Sequence, residues 1–299
     1  MYIFKNSENI IAMGTTFWLV DAFTDRAFSG NPAGVFIVDD FPDPTLMQAI
    51  AAELNWSQTA FVKRLSSQED FECFHIRWFS PRDEAPICGH ATLASAHILW
   101  EKNFVKKNKI IFESLAGPLT VTKEENEWIT LNFPQKELVE CPLPLALKQA
   151  LVTANGEIEI TSVMRDDLIY VVTLKNQSDL VALVPNLSLI ETLDCRAVSV
   201  TTQGREGYDF ESRYFAPRVG IPEDPVCGSS HCRLAPLWAE RLEKTLLMAY
   251  QASKRGGFIK IDVCDNGRVT MSSKAVTVCE GNIALNLFEK GEAKLRMVA

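Results

Sequence analysis

One long internal repeat constrains the fold of this chain more than any other feature. The first copy occupies residues 74–101 and the second occupies residues 210–240. Each copy reads Phe, Arg, an aromatic residue, Phe, a small residue, Pro and Arg, then reaches Cys-Gly and continues to Leu-Trp near its end. Copies this far apart do not have the short period of a solenoid or a propeller. The repeat therefore predicts two similar lobes.

The two Cys-Gly pairs are Cys88-Gly89 and Cys227-Gly228, and a helix-like run follows each of them. If the lobes face each other, the two cysteines lie at equivalent places on opposite walls of one cleft. A helix N-terminus offers free amide N–H groups and a positive dipole end, which lower a thiol pKa and can hold a carboxylate. Two such thiols can remove a proton from a carbon next to a carboxylate and return one to its opposite face. This chemistry requires no cofactor.

Three other polar residues lie near these cysteines in the sequence. His90 directly follows the first Cys-Gly pair, where it can act as an acid, a base or a hydrogen-bond donor to substrate, and Ser229 is its counterpart in the second copy. Asp224 precedes the second cysteine by three residues and is either a functional carboxylate or a turn-forming residue. Free cysteine is most often a small buried core residue. The repetition of the surrounding pattern favours a functional interpretation for this pair.

The composition argues against several classes of protein. A net charge of -8 and a pI near 5.2 disfavour a nucleic-acid binder, so we expect a small-molecule partner. The cysteines are irregularly spaced and give no secreted disulfide framework, which indicates reduced thiols and a cytoplasmic location. The N-terminal stretch lacks a signal-peptide core, and no run approaches the roughly 18 apolar residues of a membrane span. We expect no membrane association.

The length of 299 residues agrees with a division into two domains. We expect a first lobe over residues 15–133, with a last strand near 285–299 as a candidate to complete it, a second lobe over 134–284 and an extension over 1–14. Strand-like runs outnumber helical ones, which indicates an α+β fold with mostly antiparallel strands. Pro236, inside the helix-like run of the second copy, predicts a kink or a restart there.

Five motifs in a fixed order resemble a known family. They read DAFTDRAFSGNPAGVF, WSQTAFV, RWFSP with CGHATLA, EDPVCGSSH and QASKRGG, at residues 21–36, 56–62, 77–94, 223–231 and 251–257. Together they resemble the phenazine-biosynthesis PhzF-like family over nearly the whole chain. The resemblance implies the diaminopimelate epimerase fold, with two pseudo-symmetric lobes, a curved sheet around a central helix in each, and an active site between them. It also implies a cofactor-independent isomerase and a homodimer.

The resemblance assigns roles to individual positions. The family's active-site histidine, aspartate and serine fall on His90, Asp224 and Ser229. Its catalytic glutamate falls on Gln58, a neutral amide that cannot take a proton at working pH. The two Cys-Gly cysteines stand where epimerases and proline racemases of the same fold are similar in carrying catalytic thiols. The sequence thus lacks one base and keeps two thiols.

We therefore expect an isomerase that moves a proton on a small carboxylate-bearing metabolite. The expected catalytic residues are Cys88, Cys227, His90 and Asp224, and the expected substrate-binding residues are Gln58, Gly89, Gly228, Ser229 and Asn31. We expect no cofactor and no metal.

Three alternatives stay open. His90 and Asp224 can act as acid and base, with the cysteines as bystanders. The glutamine at position 58 also favours a non-catalytic small-molecule-binding protein on the same scaffold. Finally, the two cysteines and His90 could join His231 or Cys232 as metal ligands, although neither Cys-x-His nor Cys-x4-Cys is a strong zinc spacing. A disulfide between the opposed cysteines requires Cα atoms within about 7 Å.

Overall fold

The computed structural model describes residues 15–153 and 156–283. The elements of its first lobe are, in chain order, β1 (Thr15–Ala22), β2 (Asn31–Val38), α1 (Pro44–Leu54), β3 (Gln58–Ser67), β4 (Glu72–Phe79), β5 (Glu84–Ala85), α2 (Gly89–Glu101), β6 (Lys109–Glu113), β7 (Leu119–Lys123) and β8 (Ile129–Pro134). A short 3-10 turn over Glu125–Glu127 precedes β8.

The rest of the described chain forms the second lobe and one further strand. Its elements are β9 (Val139–Glu140), α3 (Leu145–Ala150), β10 (Val152–Thr153), β11 (Gly156–Glu157), β12 (Ile160–Arg165), β13 (Ile169–Leu174), α4 (Gln177–Ala182), α5 (Leu187–Thr192), β14 (Ala197–Gln203), β15 (Phe210–Ala216), β16 (Ile221–Asp224), α6 (Gly228–Leu242), β17 (Leu246–Gln251), β18 (Gly257–Cys264), β19 (Arg268–Ser273) and β20 (Ala275–Ile283). A 3-10 turn over Pro217–Val219 links β15 to β16.

The two lobes have the same strand order. Hydrogen-bonded neighbours run β20-β1-β2-β3-β4-β6-β7-β8 in the first lobe and β9-β12-β13-β14-β15-β17-β18-β19 in the second. The pairs are antiparallel except β2–β3 and β4–β6 in the first lobe and β13–β14 and β15–β17 in the second. Helices connect the strands of each parallel pair, because a parallel pair needs a crossover. The predicted α+β fold with two pseudo-symmetric lobes is confirmed.

The lobes share strands at two places. The last strand of each half, β8 and β19, pair with each other, with Leu131 opposite Met271. Strand β20 then crosses to the outer edge of the first lobe and pairs with β1. It lies within the range 134–284 expected for the second lobe, so the boundaries stay predictions. The extension over 1–14 and the strand near 285–299 lie outside the described residues.

Each lobe wraps its sheet around one central helix. Helix α2 is rich in alanine and is buried along almost its whole length, from Ala91 to Trp100. Helix α6 buries Leu234, Ala235 and Trp238 in the same continuous hydrophobic core. On the outer faces of the sheets, α1 covers the first lobe and α3, α4 and α5 cover the second. This three-layer packing fixes the N-termini of both central helices.

Pro236 does not interrupt α6, which runs unbroken from Gly228 to Leu242. Proline lacks the N–H that would bond to the carbonyl four residues earlier. That carbonyl belongs to Cys232, and it accepts a hydrogen bond from the backbone N–H of Lys136 at 3.0 Å. The predicted restart is therefore wrong, because a neighbouring segment supplies the missing donor. Within residues 15–153 and 156–283, no helix has the length and apolar character to cross a membrane.

Candidate active site

The two cysteines of the repeat lie at the N-caps of the two central helices. Cys88 precedes α2 and Cys227 precedes α6, each with an extended backbone and each 8% exposed. This is the equivalent placement that the repeat predicts. All eight cysteines are free thiols.

The first thiol contacts an imidazole. Cys88 Sγ lies 3.4 Å from Nδ1 of His90. Burial lowers the pKa of His90 to about 3, so its ring is neutral at pH 7. Burial also raises the pKa of Cys88 to about 12, and the N–H groups of Ala91 and His90 only partly oppose this. The expected lowering of the thiol pKa is therefore wrong, because desolvation outweighs the helix N-terminus.

The second thiol lies beside a hydroxyl group and a carboxyl group. Cys227 Sγ lies 3.3 Å from Oγ of Ser229, and the Asp224 side chain lies close enough to raise the pKa of the thiol. Burial raises the pKa of Asp224 to about 6, close to neutrality. Burial and the charge of Asp224 both raise the pKa of Cys227. The same charge raises the pKa of Cys88, so the carboxyl group lies near both thiols.

A chain of hydrogen bonds joins the two walls of the site. Asn31 Nδ2 donates to Oδ1 of Asp224 at 2.7 Å, and Asn31 Oδ1 accepts from the Ser57 hydroxyl at 2.9 Å. Ser57 Oγ lies 2.6 Å from the Pro32 carbonyl oxygen and 3.2 Å from His90 Nε2. These contacts connect His90, in the first lobe, to Asp224, in the second.

These hydrogen bonds assign the tautomer of His90. Ser57 has one hydroxyl hydrogen and donates it to the Asn31 or Pro32 oxygen, because both oxygens are acceptors. His90 Nε2 must then carry the hydrogen and donate to Ser57 Oγ. In a neutral ring this leaves Nδ1 unprotonated, and Nδ1 is the atom that faces the Cys88 sulfur.

Gln58 begins β3, directly after Ser57. Alternate residues of a strand share a face, and Ala60 and Val62 pack in the core around α2. Gln58 therefore lies on the α2 side of the sheet. Its side chain is buried, and no residue in the described part of the chain hydrogen-bonds to its Oε1.

Contacts among the described residues do not explain why glycine follows each cysteine. Among these residues, a Cβ at Gly89 would meet the Phe133 ring at 3.6 Å, and a Cβ at Gly228 would meet the Phe23 ring at 3.5 Å. Both are ordinary contact distances. Neither glycine has a positive φ. Close approach of a ligand to the backbone remains the explanation for glycine at these two positions.

Sequence reasoning missed two residues that hold the site together, Ser57 and Gln251. Both stand inside the motifs WSQTAFV and QASKRGG, so a signal was present, but neither side chain has reactive chemistry of its own. The Gln251 side chain hydrogen-bonds to the backbone of Asp224 and Cys227.

The side chains considered as further metal ligands face the backbone of α6. His231 Nδ1 bonds to the carbonyl of Cys227 at 2.8 Å, and Cys232 Sγ lies 3.8 Å from the carbonyl of Gly228. Across the described ranges, no three His, Cys, Asp or Glu side chains are grouped to hold a metal ion.

The sequence is similar to a family and to individual proteins. The family described as PhzC-PhzF, phenazine biosynthesis-like protein, matches residues 20–281. Over 275 residues the chain is 41% identical to an uncharacterized isomerase of Halalkalibacterium halodurans, covering 91% of this chain and 100% of that protein. It is 38% identical to a phenazine biosynthesis-like domain-containing protein of Bos taurus, covering 89% of this chain and 98% of that protein.

Solved structures resemble the fold. A PhzF family protein from Enterococcus faecalis superposes with a TM-score of 0.84 at 36% identity, covering 91% of this chain and 100% of that one. A probable proline racemase from Agrobacterium radiobacter gives a TM-score of 0.57 at 13% identity, covering 92% and 94%, a likeness of fold alone. The expected resemblance and fold are both confirmed.

Proposed function

We propose that this chain, which belongs to the phenazine biosynthesis-like family and is an isomerase, moves a proton on a small carboxylate-bearing metabolite. Cys88 and Cys227 carry the proton in this proposal. No cofactor takes part in this proposal. One observation carries it: each thiol lies beside its own proton-accepting group, with His90 Nδ1 at 3.4 Å from Cys88 Sγ and the Asp224 carboxyl group near Cys227.

Cys88 and His90 form the first proton-transfer pair. The unprotonated Nδ1 of His90 faces the thiol at 3.4 Å and can accept its proton. The neutral ring is essential here, since an imidazolium could not accept. The raised pKa of Cys88 and the lowered pKa of His90 make a neutral thiol and a neutral imidazole the resting pair, so a thiolate forms only transiently as the proton moves to His90.

Cys227 and Asp224 form the second pair. In one direction of the reaction, the Cys88 thiolate takes a proton from the substrate carbon and the Cys227 thiol gives one to the opposite face. Proton exchange between the site and water then restores a thiol at Cys227 and a neutral His90. In the reverse direction the two thiols exchange roles: the Asp224 carboxylate accepts the Cys227 proton, the Cys227 thiolate takes a proton from the substrate carbon, and the Cys88 thiol gives one to the opposite face.

The helix N-termini support binding of the substrate carboxylate. The amides of Gly89 and His90 begin α2, and those of Gly228 and Ser229 begin α6. Such groups, with the positive ends of two helix dipoles, favour an anion. Gln58 and Asn31 are proposed to orient the remainder of the substrate.

A second assignment keeps the isomerase class but uses His90 and Asp224 as acid and base. The observation in its favour is the Asp224 pKa of about 6, which lets this carboxyl group hold or release a proton near neutral pH. In this assignment the thiols only fill space.

Solvent-deuterium exchange into a panel of amino acids, hydroxy acids and dihydroaromatic carboxylates tests the proposal. Cys88→Ser and Cys227→Ser should each slow exchange by about a hundredfold or more. Cys232→Ser is the matched control, because this buried cysteine of α6 bonds within its own helix. Full exchange in both cysteine variants would refute the thiol mechanism and favour His90 and Asp224. Binding of a panel compound without exchange would favour a binding protein.

We also propose a cytoplasmic location and a homodimer. Eight free thiols suit a reducing compartment, and the homodimer rests on the family resemblance. Light scattering on the eluting protein would give the mass of the assembly.

A further inference from the structure

The segment from Asp224 to Cys227 has an unusual need for hydrogen-bond partners. It links β16 to α6 and contains Pro225, which has no N–H and cannot continue a sheet ladder. Backbone carbonyl groups that leave regular structure inside a protein need other donors.

Side chains supply these donors along the whole segment. The carbonyl of Pro225 accepts from Ser253 Oγ at 2.7 Å, and that of Val226 accepts from Asn31 Nδ2 at 2.9 Å. The carbonyl of Cys227 is bonded to His231 at 2.8 Å.

One residue holds both ends of the segment. Gln251 Nε2 donates to the carbonyl of Asp224 at 2.5 Å, and Gln251 Oε1 accepts from the N–H of Cys227 at 2.9 Å. The side chain is only 1% exposed. An amide is suited to this task because it donates and accepts at the same time.

The loop that follows Gln251 is hydrogen-bonded to the first lobe. Gln251 ends β17, and the loop that follows bonds to the first lobe: Arg255 Nε donates to the Gly30 carbonyl at 2.8 Å, and the Gly30 N–H donates to the Gly256 carbonyl at 2.7 Å. Gly30 precedes Asn31, the residue that bonds to Asp224. Gln251 thus ties the reactive segment to a frame shared by both lobes.

We propose that Gln251 is a positioning residue, which holds the Cys227 thiol and the Asp224 carboxyl group beside each other through its hydrogen bonds to the backbone of both residues. It does not touch the reacting atoms. The inference rests on the proposed function, because positioning matters for turnover only if Cys227 and Asp224 transfer protons.

The test compares Gln251→Leu and Gln251→Glu with a matched control. Leucine fills a similar volume with no hydrogen bond, whereas glutamate can still accept from the Cys227 N–H but, when ionised, cannot donate to the Asp224 carbonyl. The control is Gln135→Leu. Gln135 Nε2 clamps the carbonyls of Cys264 and Arg268, at 2.9 and 3.0 Å, in the β18–β19 hairpin.

The first readout is alkylation by iodoacetamide, followed at each cysteine by peptide mass spectrometry. Releasing the segment should expose Cys227, so its rate should rise about tenfold in Gln251→Leu while that of Cys88 changes less than about twofold. Gln251→Glu should give a smaller rise, since it retains one bond. Gln135→Leu should leave both rates unchanged.

The second readout is exchange on a substrate found with the panel. We expect kcat to fall by about tenfold in Gln251→Leu with KM nearly constant, because the helix amides that hold the carboxylate stay in place. Circular dichroism and the unfolding midpoint identify a variant that has lost its fold, and Gln251→Glu then takes its place.

The outcomes separate this inference from the proposed function. An unchanged Cys227 rate in a folded variant, or equal changes at Cys88 and Cys227, would overturn the positioning role. A selective change at Cys227, together with full exchange in Cys227→Ser, would support the clamp and refute the thiol mechanism.

Discussion

Asn31 of the first lobe donates a hydrogen bond to the Asp224 carboxylate of the second lobe across 2.7 Å. The same amide accepts from Ser57, which contacts His90. Asn31 is fully buried. One asparagine side chain therefore couples the groups that partner the two thiols.

Replacing Asn31 should affect stability and turnover together. Asn31→Ala removes one buried donor from the Asp224 carboxyl group and one from the Val226 carbonyl, which should cost about 2 kcal/mol of unfolding free energy. We expect exchange to slow by about tenfold as well. Urea unfolding and deuterium exchange measure the two effects. The control is Asn282→Ala, since its exposed side chain accepts a hydrogen bond from Thr16 at the protein surface; equal losses in both variants would contradict the role of Asn31.

Acid should destabilise the protein through His231. This fully buried histidine has its pKa lowered to about 4 by desolvation. Because the unfolded chain binds the proton more tightly, the unfolding free energy falls as pH drops from about 6.5 toward about 4. The contribution lost between pH 7 and pH 5 is about 2 kcal/mol.

Comparing the wild type with His231→Gln by urea unfolding at both pH values isolates this effect. The variant should lose less stability on acidification, because it lacks the His231 imidazole. Other groups, including His90 and Asp224, titrate in both proteins and cancel in the comparison. An identical loss in the two proteins would show that His231 does not titrate as expected.

A glutamate at position 58 should make stability depend on pH. Gln58 is 9% exposed, and burial raises the pKa of a carboxyl group. Because the pKa of this glutamate is raised in the folded protein, its ionisation lowers the unfolding free energy. This loss is absent below the unfolded pKa and grows as pH rises through the folded pKa. Gln58→Glu should therefore be less stable at pH 8 than at pH 5, by about 1 to 2 kcal/mol relative to Gln58→Leu. Turnover that appears only in Gln58→Glu would contradict the proposed function and favour a binding protein.

Breaking the ion pair between the lobes should be costly. Arg255 Nη2 lies 2.6 Å from Oδ1 of Asp21, whose side chain is 2% exposed. Arg255→Met leaves a buried carboxylate unpaired, and we expect a loss of about 3 kcal/mol at pH 7. The loss should shrink at low pH, where Asp21 is protonated. Lys175→Met, in an exposed pair with Glu159, should change stability by less than about 0.5 kcal/mol; a similar value for both pairs would contradict the prediction.

The repeat carried most of what could be inferred about the fold. Matching Cys-Gly motifs before matching helical runs place Cys88 and Cys227 at equivalent helix starts, because equal sequence patterns fold alike. The pairing of β20 with β1 has no such signal. A strand pattern reports which residues are buried, and it carries no information about which distant edge the strand will join.

The sequence pointed to the candidate site mainly through residues with reactive groups. Cys88, His90 and Asp224 carry thiol, imidazole and carboxyl groups, which sequence reasoning looks for. Ser57 and Gln251 act through the geometry of ordinary hydrogen bonds, which depends on distances that a sequence does not contain. The direction of the thiol pKa shifts was also out of reach, because it depends on how deeply the helix starts are buried.

The sheet of the first lobe has consequences for synthesis of the protein. Its two outer strands, β1 and β8, are covered by β20 and β19, which are translated more than a hundred residues after β8. Until the ribosome has released those strands, a nascent first lobe exposes two unpaired edges, which are templates for pairing with other chains. Chaperone binding to the nascent chain should therefore persist until β19 and β20 emerge.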